Sequence, residues 1–355
     1  MIAPFTYVAY PSRVVFGPGK LAELGAELER LGVRRALLLS TPEQIALAEQ
    51  VRQQLGDTAA GIFARATMHT PVAVTKDALA KLQSLGADGF VALGGGSTIG
   101  LGKALALRTD LPLVAVPTTY AGSEMTTILG ETEGGRKATQ RTPRVLPKAV
   151  IYDVELTLSL PPGLTATSGV NALAHAVEAL YAHDTNPIIA LMAEDGVAAL
   201  GRSLPRIIRD TADREARIDA QYGAWLCSTC LGVVAMALHH KICHVLGGSF
   251  NLPHAETHTV MLPHVTEYNA PAAPDAMRRI ERALGVERAS AGLFDLNRSL
   301  GAPAALRELG MPEAGIDQAV EMVLQDQYAN PRPLERNALR AMLARAWAGE
   351  PPKPG

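Results

Sequence analysis

Short apolar runs alternate with amphipathic stretches up to about residue 155, and beyond residue 160 the pattern turns almost wholly helical. The apolar runs at 36–39, 90–93, 113–116 and 149–152 are brief and β-type, which predicts buried strands. Between them, apolar positions three and four apart predict helices over 19–31, 43–55, 76–85 and 98–107. Such alternation predicts a doubly wound α/β domain with a parallel sheet. From Pro161 onward, Ala- and Leu-rich patterns predict helices over 163–182, 187–209, 214–238 and 241–246, with almost no β-branched runs among them. Pro161 and Pro162 in "LSLPPG" can stop one segment and open a helix. The expected domains are therefore an α/β domain over 1–160 and an all-helical domain over 161–355.

At 355 residues the chain is long enough for two substantial cores, since single cores stop growing at about 250–300 residues. Its formal net charge of −2 gives no basic surplus to suggest nucleic acid. The N-terminus lacks a basic stretch followed by a long apolar one, and no apolar run reaches the ~18 residues of a membrane span, so a cytoplasmic protein is expected. Cys227, Cys230 and Cys243 are too few and odd in number for a disulfide framework. Cys227 and Cys230 have the spacing of half a zinc site, but the stretch "YGAWLCSTCLGVVAMALHH" is one where buried thiols pack.

Two loops carry candidate chemistry in the first domain. In "FVALGGGSTIGLGKALAL" an apolar strand runs into Gly94, Gly95, Gly96, Ser97 and Thr98 and then a helix. Glycines let a phosphate approach the backbone, and a helix N-terminus offers it unpaired N–H groups. Lys103, further along that helix, is a candidate for cofactor phosphate. "VAVPTTYAGSEMT" places Thr118, Thr119, Gly122, Ser123 and Thr126 after the next strand, where hydroxyls can bond phosphate or a nicotinamide carboxamide. Ser40 and Thr41 stand where an acid would favour the ribose of NAD and an arginine the phosphate of NADP, so the choice between NADH and NADPH stays open.

In the second domain Asn171 and His175, and likewise His240 and His244, lie four apart and share a helix face. Six of the nine histidines fall between residues 239 and 264, which points to a site that includes His254. His258 and His264 are expected to bond backbone near a helix or loop end. An aspartate at 171 would complete a divalent-metal set; asparagine does not.

These segments resemble the iron-containing alcohol dehydrogenase family along nearly the whole chain: "GGGST…K" at 94–103, "PTTYAGSE" at 117–124, "GVNALAHAVEA" at 169–179 and "HHKICHVLGGSFNLPHAETH" at 239–258. The resemblance implies a dehydroquinate synthase-like fold, a dinucleotide-binding domain before a helical one, and a homodimer with its active site in the cleft between domains. In the family pattern an aspartate and three histidines hold Fe²⁺ or Zn²⁺, and they map onto Asn171, His175, His240 and His254. This chain departs at the anionic ligand, and a neutral amide oxygen is the weaker donor to such a cation. The chain is similar to a metal-free branch that uses NADH or NADPH to reduce the conjugated carbon–carbon double bond of a small oxo-dicarboxylate. No metal is then expected. His244 becomes the expected proton donor, with His175, His240, His254 and Asn171 orienting substrate or stabilising an enolate. Lys241, Arg136 and Lys137 are the candidates for holding carboxylates. A metal-dependent alcohol or polyol dehydrogenase and a non-catalytic nucleotide-binding protein remain as alternatives.

Overall fold

The computed structural model describes residues 5–10, 12–325 and 328–353. It divides into two compact units, Ala9–Leu160 and Pro161–Gly355, the second also taking in residues 5–8. The change of unit thus falls at the expected proline pair.

The first unit carries strands β1 (Arg13–Phe16), β2 (Ala36–Leu39), β3 (Ala59–Phe63), β4 (Gly89–Gly94), β5 (Leu113–Pro117), β6 (Ile128–Glu133), β7 (Arg136–Arg141) and β8 (Ala149–Tyr152). Its helices are α1 (Leu24–Arg30), α2 (Ile45–Leu55), α3 (Val72–Ser84) and α4 (Gly96–Thr109). Among the described residues six strands pair in the order β1-β8-β5-β4-β2-β3, every pair parallel. β2, β4, β5 and β8 are buried along their length, as a sheet covered on both faces requires. These are the expected strands. β1 and β3 add to the sheet, and β6 and β7 form a separate antiparallel hairpin that the apolar pattern does not mark. Its turn is Gly134-Gly135, with φ +56° and +77°, the left-handed pair that a two-residue hairpin demands.

The second unit holds α5 (Pro162–Leu180), α6 (Pro187–Arg209), α7 (Arg214–Val233), α8 (Leu238–Phe250), α9 (His254–Asn269), α10 (Pro274–Leu284), α11 (Ala289–Ser299), α12 (Gly315–Gln325) and α13 (Arg336–Ala348). α5 is buried all round from Thr165 to Leu180, which makes it the core helix against which α6, α7 and α9 pack. The single helix expected over 214–238 is broken. α7 stops at Val233, Val234 is extended, and α8 leaves at 92° to α7. The Asp184 carboxylate accepts the Ala235 amide at 3.0 and 3.1 Å in this corner, so a distant side chain supplies the stop that "LGVVAMAL" lacks. Among the described residues no single helix is long and apolar enough to cross a membrane.

Candidate active site

The strand order reverses between β2 and β4, and their carboxyl ends flank the place where open α/β sheets bind ligands. Gly94 ends β4 with φ +148°, and a Cβ there would lie 2.6 Å from both Gln44 Oε1 and Thr98 Oγ1, so a side chain is excluded. Gly96 opens α4, is exposed, and has nothing within 4 Å of its Cβ position. The loop leaves space at a helix N-terminus, where unpaired N–H groups and the helix dipole favour an anion. Gly95, Ser97, Thr119 and Ser123 are half-buried, and the Thr119 side chain packs on Gly95.

Five residues expected at cofactor are instead turned inward. Ser40 and Thr98 are fully buried, the Ser40 hydroxyl donating to Thr41 O at 3.1 Å. Thr118 Oγ1 accepts from Gln44 Nε2 at 2.8 Å. Lys103 is 0% exposed, and its ammonium donates to Thr126 Oγ1 at 2.7 Å and Ile128 O at 2.9 Å. The cause is that α4 is buried on every side from Thr98 to Ala106, so its lysine has no route to a surface ligand. Burial lowers Lys103 to about 7, against the opposing pull of Glu124. Glu124 is itself buried and raised by that burial, and Tyr152 donates to its Oε1 at 2.8 Å.

In the helical unit Asn171, His175 and Glu178 follow at helical spacing along α5, and all are buried. Glu178 accepts from the His239 amide at 2.8 Å and the His240 amide at 3.3 Å. Both amides belong to the first turn of α8 and have no partner within their helix, so a carboxylate from α5 caps α8. The same carboxylate pairs with His240 Nδ1. His240 Nε2 and His175 Nδ1 are then left buried without a protein partner, with the two rings 5.2 Å apart.

His244 and His254 are exposed and stack with ring centroids 6.1 Å apart, and His244 lies 6.3 Å from His240. The expected histidines therefore come together. His258 corrects the expectation made for it: it sits inside α9 with its ring 4.3 Å from His254 and 4.9 Å from His240. Its Nδ1 lies 2.9 Å from His239 Nε2, and Cys243 Sγ lies 3.9 Å from that same nitrogen. Burial holds His175, His239 and His258 well below the usual imidazole range, and each neighbouring imidazole pushes the same way. All three are neutral at pH 7.

Other expected residues lie elsewhere. His264 is buried edge-on to Phe294 and is lowered to about 4, chiefly by that burial, so it too is a core residue and not a loop-end one. Lys241 is half-buried, its ammonium 6.0 Å from the centroid of the Tyr328 ring. Arg136 is exposed on β7, and the Lys137 side chain lies outside the described residues. Cys227 and Cys230 are buried, with Cys230 raised to about 12 by burial, as packing thiols are. Reading the sequence missed Glu178, His239 and His258. Each had a signal: Glu178 is three residues past His175, His258 four past His254, and His239 adjoins His240.

Residues 11–154 match the model of iron-containing alcohol dehydrogenase, and 165–347 that of the Fe-containing alcohol dehydrogenase family, C-terminal. The maleylacetate reductase of Pseudomonas sp. (strain P51) is 56% identical over 342 residues, covering 96% of this chain and 97% of its own. That of Burkholderia cepacia is 56% identical over 348 residues, covering 98% and 99%. The crystal structure of maleylacetate reductase from Agrobacterium tumefaciens matches with a TM-score of 0.96 at 52% identity, over 99% of this chain and 100% of that one.

Proposed function

The chain belongs to the iron-containing alcohol dehydrogenase family, and from that premise we propose that it reduces the carbon–carbon double bond of maleylacetate to give 3-oxoadipate. It is an oxidoreductase that uses NADH or NADPH. The observation that carries the substrate reading within the site is the set of buried, neutral imidazoles whose nitrogens have no protein partner.

Gly95, Gly96 and Ser97, with Thr119 and Ser123 beside them, would hold the phosphates of NADH or NADPH, which when bound would supply the hydride added to the carbon beta to the substrate ketone. The electron pair of the double bond moves onto the ketone oxygen as an enolate. His244 then delivers a proton to the adjacent carbon, and its exposure lets water restore that proton. The sum is one hydride and one proton added. His240 is fixed by Glu178 with Nε2 left without a protein partner, and His175 and Asn171 line the same buried face. His254 and Lys241 lie on the neighbouring turns as contacts for carboxylates.

Iron is the ion implied by the family. Asn171 presents a neutral amide where the family pattern has a carboxylate. Among the described residues, His239, Cys243 and His258 are the donors that close within 4.8 Å of one another; His175, His240 and His254 form no such group. The neutral amide at Asn171 argues against the ion at these positions, and the reaction is proposed without it. One observation favours the other reading, since a carboxylate behind an imidazole is also how metal-bound histidines are oriented.

The test is loss of NADH or NADPH absorbance with maleylacetate, with and without chelator. Turnover that survives EDTA is expected. No rate with either cofactor, or loss in EDTA restored by Fe²⁺, would overturn the reading. It extends to a homodimer in the cytoplasm, which light scattering checks as twice the chain mass.

A further inference from the structure

We infer that Glu43 is the residue by which this chain distinguishes NADH from NADPH, accepting a hydrogen bond from the 2′-hydroxyl of the adenosine ribose and repelling the phosphate that NADPH carries there. The inference rests on the dinucleotide site proposed above, and it selects one of the two cofactors.

In parallel sheets that bind dinucleotides, the ribose is read past the carboxyl end of a strand beside the glycine loop, by an acid for NAD and by a cation for NADP. Here that strand is β2, which pairs with β4 and ends at Leu39. The next two residues carry hydroxyls, and both hydroxyls are already engaged. That of Ser40 is buried and donates to the Thr41 carbonyl at 3.1 Å. The Glu43 carboxylate accepts from its own amide and from the Thr41 hydroxyl, which together hold it below the usual carboxylate range. Thr41 has thus spent the proton that a phosphate would need. Glu43 itself is exposed and, among the described residues, pairs with no cation, so its charge is not neutralised.

The turn that carries Glu43 is tied to the glycine loop. Pro42–Gln44 is one tight helical turn, opened by a proline whose φ suits that position. Gln44 Nε2 donates to Thr118 Oγ1 at 2.8 Å, just past β5, and Gln44 Oε1 occupies the space that a side chain on Gly94 would need. Glu43 precedes Gln44, so its carboxylate is fixed within one residue of the group that roofs the phosphate loop. The cation that could serve NADPH is engaged elsewhere. β3 runs beside β2, and Ser40 bonds the chain that follows it, through the Phe63 carbonyl at 3.1 Å and the Ala66 amide at 3.0 Å. Arg65 therefore flanks the same strand end, but it pairs with Asp77 at 2.9 Å and lies 5.6 Å from the centroid of the Phe63 ring. Both members of that pair are exposed, which makes it weak and makes Arg65 the rival to exclude. A phosphate monoester carries about two negative charges near neutral pH. Set against an unneutralised carboxylate, those charges select against NADPH.

The test titrates NADH and NADPH into the full chain without substrate and reads the fluorescence of the bound reduced nicotinamide. Wild type should bind NADH more tightly than NADPH by ~10-fold or more. Glu43→Gln keeps the length of the side chain and removes its charge, and it should narrow that ratio to within ~3-fold, chiefly by tightening NADPH. Salt at ~1 M, where the Debye length falls to ~3 Å, should shrink the wild-type ratio and leave that of Glu43→Gln unchanged. A merely structural glutamate would give no such response. Arg65→Ala should leave the wild-type ratio within ~2-fold of its value. A wild-type ratio near one or in favour of NADPH overturns the inference, as does a ratio that Glu43→Gln leaves unchanged or that Arg65→Ala abolishes. Binding of neither cofactor defeats the dinucleotide reading and this inference with it. Expected binding without turnover of maleylacetate defeats only the substrate reading and supports the role of Glu43.

Discussion

Both units bury polar groups, and they do so in opposite ways. In the α/β unit Lys103, Thr126, Glu124 and Tyr152 bond chiefly to one another and to backbone, so the lysine that resembled a phosphate ligand is spent holding α4 to the segments that follow β5. In the helical unit the imidazoles of His175, His240 and His258 each keep one nitrogen that the protein does not satisfy. Buried polar atoms without partners cost free energy that a ligand can recover on binding. The first network leaves Glu124 Oε2 open but commits its lysine to the framework, whereas the second leaves a nitrogen open on each of three neighbouring rings.

The largest effect expected from this contrast is on stability. Lys103→Met leaves Thr126 Oγ1 and the Ile128 carbonyl without their buried donor and should cost about 3 kcal/mol in a denaturant midpoint measurement, while KM for the nicotinamide cofactor stays within about twofold. A large rise in that KM with full stability would show that the two networks had been assigned the wrong way round. His244→Ala tests the open side and should lower turnover by ~10²-fold or more, equivalent to about 2.7 kcal/mol of barrier. Near-normal turnover would remove it as the proton donor.

Gly96→Ala is expected to act on binding alone. Its added methyl meets nothing in the protein, so Tm should not move, but it intrudes where an anion would approach and should raise the cofactor KM roughly tenfold. Unchanged KM would place the phosphate elsewhere. The smallest effect is electrostatic. The folded-state pKa of His264 lies at about 4, below the 6.5 of the unfolded chain, so acid protonates the unfolded state first. Stability is complete above 6.5 and declines as pH falls toward 4. Between pH 7.5 and 5.5 His264 alone should cost about 1 kcal/mol, and His264→Leu should flatten the pH slope by that amount. An equal slope in both proteins would contradict the burial assigned to it.

The fold was legible where strands are buried on both faces, because β2, β4, β5 and β8 are continuous apolar runs. β7, "RKATQR", has no apolar stripe and is held by its glycine turn and its pairing with β6, which periodicity does not register. The break between α7 and α8 was hidden because Asp184, some fifty residues away in sequence, makes it. The histidine spacing shows again in the cluster, whereas several of the expected hydroxyls turn inward. Thr98, Thr118 and Thr126 have the composition of a phosphate loop, but which way each points is decided by Gln44, Lys103 and the packing of α4. His258 was undervalued because its partner, His239, belongs to another helix.

The right-angled corner before α8 also sets a phase. His239 and His240 are neighbours in sequence and therefore project about 100° apart around their helix, one toward His258 and Cys243, the other toward Glu178 and His175. Connections between helices ordinarily tolerate gain or loss of a residue, but this one, residues 234–237, is pinned by Asp184 at one end and by the Glu178 cap at the other. One inserted residue would bring a different pair of side chains under that cap. Ring pairings on both faces would then be lost together while the helix itself still formed. In descendants of this chain the length of that short corner should vary less than the identity of the residues in it.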